Sequence, residues 1–385
     1  MILNGENDYT SIVMKALKMK TNIVRNSSVE FLRCLLMFLI VFEHCMAHGV
    51  FIQKSPYGIE GGLWTIPFAF VWWHVDAFVA ISGWYGIKFR WSKFLRLYGV
   101  ILFYSLLSLA YQLLVAHEPL NFKAQLIYGG WFGATYTMLM LMAPLLNAGV
   151  EALVAEGRRI AFFSWLVFAI GVVLNWSPYT RWATAVCPLG AGPFTIFNMV
   201  FVYVTARMAR RLEFDFGGRR LAWSAVAILA GGILLCGGVN AASYVLRHKP
   251  VTGMAFGGYS SYDAPHIWLF AVAIVMYFAR YVRVPEWLGR LGAFVGPSTF
   301  AIFLFHHATC FGNDIYRVQQ FALVDRWGVH PLPIIAVTAV STFVLCLMVD
   351  LLRRVVFGLV RPRSERVLAW LDRKWDDWVS GAFSA

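Results

Sequence analysis

The sequence predicts an all-α fold, a polytopic membrane helix bundle with about ten transmembrane helices and with both termini in the cytosol. Composition, the number of long apolar segments and the distribution of basic residues support this prediction. Hydrophobic residues make up 59% of the 385 residues and charged residues 14%, and the mean hydropathy is +0.64. A water-soluble globule of this size could not hide so much apolar surface. Lipid is therefore the expected solvent for most of the chain.

Ten segments are long and apolar enough to cross about 30 Å of hydrocarbon, which requires about 20 helical residues. We place them near residues 31–49, 66–87, 94–116, 132–154, 160–176, 193–209, 221–239, 266–282, 296–312 and 334–357. Together they form a predicted membrane domain, 31–357, after a polar, Lys-rich segment, 1–30. That first segment lacks the apolar core and cleavage site of a signal peptide. The first span is therefore expected to remain as a signal anchor.

Lys and Arg are unevenly distributed between the two sides that ten spans would create. With the N-terminus inside, 26 of the 33 basic residues fall in predicted cytosolic segments and the other seven in predicted outer segments. Such an excess on the cytosolic side is typical of membrane proteins. Topology therefore explains the net charge of +13, and no nucleic-acid partner is expected.

The last residues, 358–385, form a predicted cytosolic tail. Between Arg361 and Trp378, apolar and aromatic residues are interspersed with charged ones. This spacing is typical of an amphipathic helix that lies on a membrane surface. We therefore expect the tail to contact membrane lipids, and a role in binding partner proteins is the weaker alternative.

Ionisable residues at membrane depth are candidates for function, because burying each of them in lipid costs a few kcal/mol. The first span carries Arg33 and His44, eleven positions apart. Eleven helical residues come within about 20° of three full turns, so both side chains share one face, about 16 Å apart along the axis. Arg33 is then near the cytosolic mouth and His44 past the middle of the bilayer. Glu43 is expected to point elsewhere, because sequence neighbours do not share a helix face.

Further polar residues fall in the outer or middle depth range. His74 and Asp76 lie in the second span, His306 and His307 end the apolar run of the ninth, and His48 continues the face of His44. Imidazoles at this depth suit the abstraction of a proton from an acceptor hydroxyl, since His titrates nearest neutral pH. A single histidine in a membrane is more often an interhelical hydrogen-bonding partner.

Cationic side chains occupy the opposite, cytosolic end of the predicted channel. Arg33, Lys93 and Arg96 are placed there, where guanidinium and ammonium groups suit the phosphates of a large anionic donor. The positive-inside rule alone also accounts for each of these residues. Spacing and depth therefore predict a polar channel and leave open both an enzyme and a transporter whose histidines relay protons.

Four stretches, in order, resemble the acyltransferase-three family of bacterial membrane enzymes, which O-acylate surface and secreted polysaccharides. The first runs from Arg25 to His44 and contains the family's pattern of an Arg, ten residues and a His, as Arg33 and His44. The others are Asp76–Gly83, Trp131–Tyr136 continuing to Pro144–Asn147, and Ser298–His306. The resemblance covers about residues 25 to 306.

The resemblance implies an O-acyltransferase of the bacterial cytoplasmic (inner) membrane with a ten-helix core. Its donor would be acetyl-CoA or another acyl-CoA from the cytosol, and no metal is expected. Its acceptor would be a hydroxyl of a surface glycan or of a lipid-linked oligosaccharide. Many relatives carry an additional extracytoplasmic hydrolase-like domain, which here would be a separate partner protein or absent.

The resemblance also implies that Arg33 and His44 are functionally required. We expect His44 to act as a general base on the acceptor hydroxyl or to carry the acyl group transiently. Groups expected to orient His44 or to stabilise developing charge are Asp76, His74 and His306. The donor phosphates are expected on Arg33, Lys93, Arg96 and Arg90, where the family's paired arginines are replaced at Lys93. The residues expected to contact substrate are His74, Ser82, Trp131 and Tyr136.

The expected mechanism requires a donor that stretches along the first span. With its phosphates at the cytosolic mouth, the pantetheine arm would extend about 15 Å along the helix face towards His44. Glycan contacts are expected from the outer loop Asn240–Pro265 and from Tyr57 and Trp64, although an interfacial aromatic belt explains the same residues. The competing functions are a transporter or flippase of a lipid-linked glycan and a non-catalytic membrane scaffold. The sequence shows no inverted internal symmetry that would favour a transporter.

Overall fold

A computed structural model describes residues 26–49, 70–117, 130–174, 194–247, 262–307, 320, 326, 328 and 331–382. Within these ranges the chain is helical and contains no strand, which confirms the predicted all-α fold. The helices are α1 Ser27–His48, α2 His74–Tyr85, α3 Trp91–Tyr111, α4 Gly130–Glu156, α5 Arg158–Leu174, α6 Ile196–Arg211, α7 Gly218–Arg247, α8 Pro265–Arg280, α9 Glu286–Val295, α10 Thr299–His307 and α11 Pro331–Ala382. A π-helical turn, Gln112–Ala116, continues α3, and a 3-10 turn, Gly296–Ser298, joins α9 to α10.

A helix covers part of each of the ten predicted spans. Five stretches of helix are long and apolar enough to cross a membrane. They are Trp91–Val115, Gly130–Glu156, Gly218–Gly238, Glu286–His307 and Pro333–Gly358. A multi-pass membrane helix bundle is thereby confirmed, whereas the count of ten crossings and the cytosolic placement of the termini stay predictions.

Three helix boundaries differ from the prediction. α7 continues to Arg247, so the predicted outer loop from Asn240 begins as helix. The ninth segment begins at Glu286 instead of near residue 296, because Gly296 and Pro297 form a 3-10 turn that keeps the chain helical. α11 runs without interruption through the predicted boundary at residue 358. Tyr57, Trp64 and most of the predicted glycan-contacting loop lie outside the described residues.

α1 is the central helix and contacts α2, α8, α9, α10 and α11. Asn26 caps it, since its side-chain oxygen accepts hydrogen bonds from the backbone N–H groups of Ser28 and Val29. The Asn26 amide also donates to the carbonyl of Ala279, and the Ser28 hydroxyl donates to the carbonyl of Val282. These bonds tie the start of α1 to the end of α8. The end of the bundle that contains them is the one predicted to face the cytosol, and it is called the cytosolic end below.

Two glycines allow helices to cross at close range. An added Cβ at Gly292 would lie 2.5 Å from the backbone nitrogen of Phe31, so α9 packs directly against the backbone of α1. An added Cβ at Gly83 would lie 2.2 Å from the carbonyl oxygen of Tyr203, which brings α2 equally close to α6. Small residues commonly permit such contacts between membrane helices. These two crossings fix the positions of α1 and α2 relative to the rest of the bundle.

A buried ion pair within α11 is also hydrogen-bonded to α3. Asp350 is fully buried and accepts hydrogen bonds from Arg353 Nε at 2.6 Å and from the Tyr104 hydroxyl at 3.1 Å. Charged groups at membrane depth are stable only when they are paired or hydrated. The pair therefore satisfies two charges within α11 and holds α3 against it.

The cytosolic part of α11 packs against the residues that begin α3. The Asp372 carboxylate accepts a hydrogen bond from the backbone N–H of Ser92 at 3.0 Å. The Trp375 ring lies 5.3 Å from the ring of Phe89 and 6.1 Å from that of Trp91. The predicted tail is thus a direct extension of the last helix. Its contact with membrane lipids stays a prediction, to which the exposed Trp370, Trp378 and Val367 side chains conform.

Candidate functional site

A cavity of about 230 Å³ lies beside α1 and is closed by α2, α3, α4 and α10. Its wall on α1 consists of Arg33, Met37 and Ile40. Their spacing of four and three residues places the three side chains on one helix face. This face is the one that the sequence predicts to join Arg33 to His44, which lies one turn beyond Ile40. The predicted stripe of α1 therefore borders a cavity between helices.

Arg33 marks the cytosolic end of the cavity. Its side chain is 30% exposed and forms an ion pair with Glu30, with Arg33 Nη1 2.9 Å from Glu30 Oε1. Among the residues that the structure describes, Arg33 is the only basic one in the cavity wall. A guanidinium that is both solvent-accessible and part of the wall can bind an anionic group whose remainder enters the cavity.

His44 lies beyond the inner end of the cavity and is buried. Its ring centroid is 6.2 Å from that of Phe303, which belongs to the cavity wall. His44 Nδ1 lies 2.8 Å from His306 Nε2, so the structure brings together these two predicted catalytic residues from α1 and α10. His44 therefore lies one helical turn beyond the wall residue Ile40 of a cavity that begins at Arg33.

The hydrogen bonds of His306 determine which nitrogen of His44 can act as a base. His306 Nδ1 lies 2.5 Å from the carbonyl oxygen of Ile302, and a carbonyl can only accept, so this nitrogen carries the proton. In neutral His306 the other nitrogen, Nε2, then accepts. His44 Nδ1 is therefore the donor, and the lone pair of neutral His44 is on Nε2. An unprotonated imidazole nitrogen is what a general base requires.

Glu43 is a functional candidate that the sequence reading placed wrongly. Its carboxylate Oε2 lies 3.4 Å from His44 Nε2 and 4.0 Å from His74 Nε2, so it does not point away from His44. Because other helices surround α1, the face next to that of His44 is also interior, and the long Glu side chain reaches both imidazoles. The sequence does contain a signal for Glu43, because an acidic residue at membrane depth is a functional candidate by default.

His48 and His307 lie on the other side of His44. The rings of His44 and His307 are stacked, with centroids 4.1 Å apart. The His48 centroid is 5.6 Å from that of His44 and 5.7 Å from that of His307. With His306, three imidazoles therefore lie within 5.6 Å of the His44 ring, measured between centroids. The sequence indicated His48 as a continuation of the face of His44, and the contact with His307 required the packing of α10.

Asp76 and His74 lie apart from the pair formed by His44 and His306. Asp76 Oδ1 accepts a hydrogen bond from Asn198 at 3.2 Å, and within the described ranges no hydrogen bond or ion pair joins Asp76 to His44. His74 is fully buried, and its Nε2 lies 4.0 Å from Glu43 Oε2, which also contacts His44. Its ring also lies 6.0 Å from that of Tyr262. The expected orientation of His44 by Asp76 thus has no direct contact to support it.

Ser82 and Tyr136 meet in the cavity wall. Their hydroxyl oxygens are 3.1 Å apart, although 54 residues separate them in the sequence. Trp131, from the same predicted set, is not in the wall of the cavity. Its ring packs instead against Phe194 at 4.8 Å and Tyr262 at 5.8 Å. The structure therefore brings together Ser82, Tyr136 and Arg33 and separates Trp131 from them.

The basic residues around the start of α3 have different surroundings. Arg90 forms an ion pair with Asp376, whose hydrogen bond raises the pKa of the guanidinium, and Arg96 pairs with Glu365 at 3.6 Å. Lys93 is exposed and precedes Leu97, a residue of the cavity wall, by one turn. Residues four apart share a helix face, so Lys93 is the member of this set on the face that leads into the cavity.

Arg210 is a further cation at the cytosolic end. In the sequence it is only one of the basic residues of the predicted cytosolic segments. Its guanidinium lies 5.3 Å from the ring of Tyr85 and donates a hydrogen bond of 2.8 Å to the carbonyl of Trp84. Tyr85 follows Ser82 by three residues on α2, within electrostatic range of both Arg33 and Arg210. Arg210 is therefore close to the mouth at Arg33. Nothing in its sequence position distinguishes it from its neighbours Arg207 and Arg211.

The fold and these contacts define an integral membrane protein with a cluster of histidines next to a cavity that begins at Arg33. Residues 26–351 match the family model described as an acyltransferase domain, and the chain belongs to the acyltransferase-three family. Membrane acyl transfer is therefore its class of activity, and the resemblance found in the sequence is confirmed. No match was found among curated proteins or among solved structures.

Proposed function

We propose that the protein transfers an acyl group, acetyl in the first instance, from an acyl-CoA to a hydroxyl of a surface or secreted glycan in the bacterial cell envelope. The observation that supports this proposal most strongly is the placement of His44. Its Nδ1 donates to His306, and its ring lies 6.2 Å from that of Phe303, a wall residue of the cavity that begins at Arg33. A base and an anion-binding group at opposite ends of one cavity suit a long, anionic thioester.

His44 acts in this proposal as the general base. Its Nε2 takes the proton of the acceptor hydroxyl while the hydroxyl oxygen attacks the thioester carbonyl. The carbon–sulfur bond then breaks, and the departing thiolate receives the proton from His44. The carboxylate of Glu43, 3.4 Å from Nε2, stabilises the positive charge that His44 carries between these two steps. Transient acylation of His44 is the alternative course of the same reaction.

The donor binds from the cytosolic end. Arg33 engages its phosphates, with Lys93 on the neighbouring α3 face, while Arg90 and Arg96 contribute when their ion pairs with α11 open. The pantetheine arm then lies against Met37 and Ile40, a path of about 15 Å at 1.5 Å per helical residue. Ser82 and Tyr136 offer hydroxyls to the amide groups of that arm from the opposite wall.

The acceptor approaches from the side of His48 and His307, which is the predicted outer end of α1 and α10. Exopolysaccharide, capsule, lipid-linked oligosaccharide and peptidoglycan all present sugar hydroxyls to that side. Comparing the acetyl content of these surface glycans with and without the gene identifies the acceptor. A separate extracytoplasmic or biosynthetic protein would deliver it or act on the product.

The proposal is tested with purified protein in lipid nanodiscs, by following the release of free CoA from acetyl-CoA. We expect His44→Ala to lower the rate about 100-fold or more, with normal expression and insertion. Arg33→Ala should raise the apparent KM for the donor and change kcat little, because its contact is equally present in the ground and transition states. Arg290→Ala is the matched control, since Arg290 is an exposed arginine of the same end and its side chain is 75% accessible. Full activity of His44→Ala would reject the mechanism.

A flippase for a lipid-linked glycan is the second candidate, and one observation favours it. Glu43 lies between His74 and His44, and His44 contacts His306, so ionisable groups follow one another through the bundle. Such chains relay protons in transporters. Consumption of acetyl-CoA by the purified protein distinguishes the enzyme from this candidate, because a flippase has no use for the thioester.

A further inference from the structure

The imidazoles of His44, His48 and His307 form a cluster whose nitrogens lie close enough together to become ligands of one metal ion. One ring nitrogen from each residue lies within 4.8 Å of the others. His44 and His48 are one helical turn apart on α1, and His307 ends α10. Two histidines at positions i and i+4 of a helix, with a third from a neighbouring element, are a common arrangement of zinc ligands.

Zinc nitrogen bonds are about 2.0–2.1 Å long, so two imidazole nitrogens on one tetrahedral ion are about 3.4 Å apart. The three nitrogens lie within 4.8 Å of one another, so each pair has to come closer by at most about 1.4 Å. His48 and His307 are only partly buried, whereas His44 is buried. Three imidazole ligands favour Zn²⁺ over Mg²⁺ or Ca²⁺, which prefer oxygen ligands.

The surroundings of His44 resemble the support that metal-bound histidines receive. A ligating histidine almost always donates its second ring N–H to a carbonyl, carboxylate or similar acceptor. His44 Nδ1 donates to His306 Nε2, and His306 is held in turn by the carbonyl of Ile302. These two successive hydrogen bonds fix the ring of His44 and increase the electron density on His44 Nε2.

We propose that His44, His48 and His307 bind a Zn²⁺ ion and that the bound ion inhibits acyl transfer. Neutral imidazole has a single nitrogen lone pair, and coordination uses it. A metal on Nε2 occupies the nitrogen that would accept the proton. A metal on Nδ1 displaces the proton given to His306 and moves it to Nε2, so the base is lost in either case. The inhibition rests on the proposed role of His44, whereas binding of the ion does not.

Binding is measured on the full-length protein in nanodiscs with Co²⁺, whose visible absorption reports tetrahedral nitrogen ligands, and with Zn²⁺ by equilibrium dialysis. We expect one ion per chain. His48→Ala and His307→Ala should each weaken binding about 10–100-fold. His117→Asn is the control for nonspecific binding at an exposed histidine, because Asn tolerates the positive φ of 52° at that position. Absence of the tetrahedral spectrum, or binding that both alanine variants retain, would overturn the site.

Inhibition is measured in the same preparation by the release of CoA. We expect Zn²⁺ to stop the wild-type reaction and His48→Ala to require at least about tenfold more Zn²⁺, in proportion to its weaker binding. Binding that stimulates the reaction or leaves it unchanged would overturn the inhibitory part. If the wild type releases no CoA at all, the proposed function fails, and the Co²⁺ spectrum still decides whether the metal site exists.

Discussion

His44 Nδ1 and His306 Nε2 are 2.8 Å apart, although 262 residues separate the two histidines in the sequence. The contact crosses from α1 to α10, and the carbonyl of Ile302 anchors it at the far end. Because that carbonyl can only accept, it sets the tautomer of His306 and, through it, that of His44. A backbone oxygen of α10 thus determines which nitrogen of His44 can take a proton.

Substituting His306 tests whether these hydrogen bonds position His44. His306→Leu removes the acceptor for His44 Nδ1, so the imidazole loses its fixed tautomer and orientation, and we expect kcat to fall about 100-fold. His306→Gln is the matched variant, because its amide oxygen can replace Nε2 as the acceptor, and it should recover much of that loss. Equal activity of the two variants would mean that the hydrogen bond to His44 has no positioning role. Both are measured with saturating donor, with KM recorded separately.

Filling the cavity tests whether the donor passes along α1. Ile40 is 4% exposed and forms the wall one turn before His44. Ile40→Phe should block the passage and lower kcat/KM for acetyl-CoA at least about tenfold, at a cost in stability of about 1–3 kcal/mol. Ile40→Leu keeps the volume and should cost less than about 1.5 kcal/mol with little loss of activity. Wild-type kcat/KM in a folded Ile40→Phe variant would place the donor elsewhere.

The ion pair in α11 gives a prediction about stability. Asp350→Ala removes the partner of the buried Arg353 guanidinium and of the Tyr104 hydroxyl. We expect the free energy of unfolding to fall by about 3–5 kcal/mol, because an uncompensated charge then remains buried. Glu286→Ala breaks an ion pair of similar spacing whose side chains are 75% and 80% exposed, and it should cause no measurable change. Thermal unfolding in detergent compares the two, and equal midpoints would contradict the assignment.

The crossing of α2 and α6 gives a second stability prediction. Gly83→Ala would place a methyl group 2.2 Å from the carbonyl oxygen of Tyr203, so the helices must separate, at a cost of about 1–3 kcal/mol. Activity should fall as well, because Ser82 of the cavity wall moves with α2. Gly99→Ala is the control, since none of the described atoms beyond its own stretch of helix lies within 4 Å of its added methyl group. That control should be neutral or stabilising by up to about 1 kcal/mol. A Gly83→Ala protein as stable as the control would show that the crossing can relax freely.

Several features of the site follow from the sequence because they depend only on local geometry. Arg33, Met37, Ile40 and His44 share one face in any α-helix, so their common stripe was predictable. The contact of Arg33 with a cavity is consistent with the cost of placing ionisable groups in lipid. The depth of His306 could also be read from its position at the end of an apolar run. Only its hydrogen bond to His44 could not.

Other features depended on long-range packing and were missed or misread. Glu43 was expected to face away from His44, yet α1 is enclosed by other helices and its carboxylate lies against two imidazoles. The contacts by which Asp372 and Trp375 dock the predicted tail onto the start of α3 were not predicted. Both outcomes depend on helices that are far away in the sequence.

The sequence by itself determined that the chain is a multi-pass helical membrane protein, to which family it belongs, and which face of α1 carries an arginine and a histidine. These properties follow from composition, motif spacing and the 3.6-residue helical period, all of which are local. Only the tertiary structure decided that His306 and not Asp76 contacts His44, that Ser82 meets Tyr136, and that His48 and His307 converge. Those outcomes depend on how each helix is rotated about its axis and on where helices cross, which close contacts such as those at Gly83 and Gly292 fix.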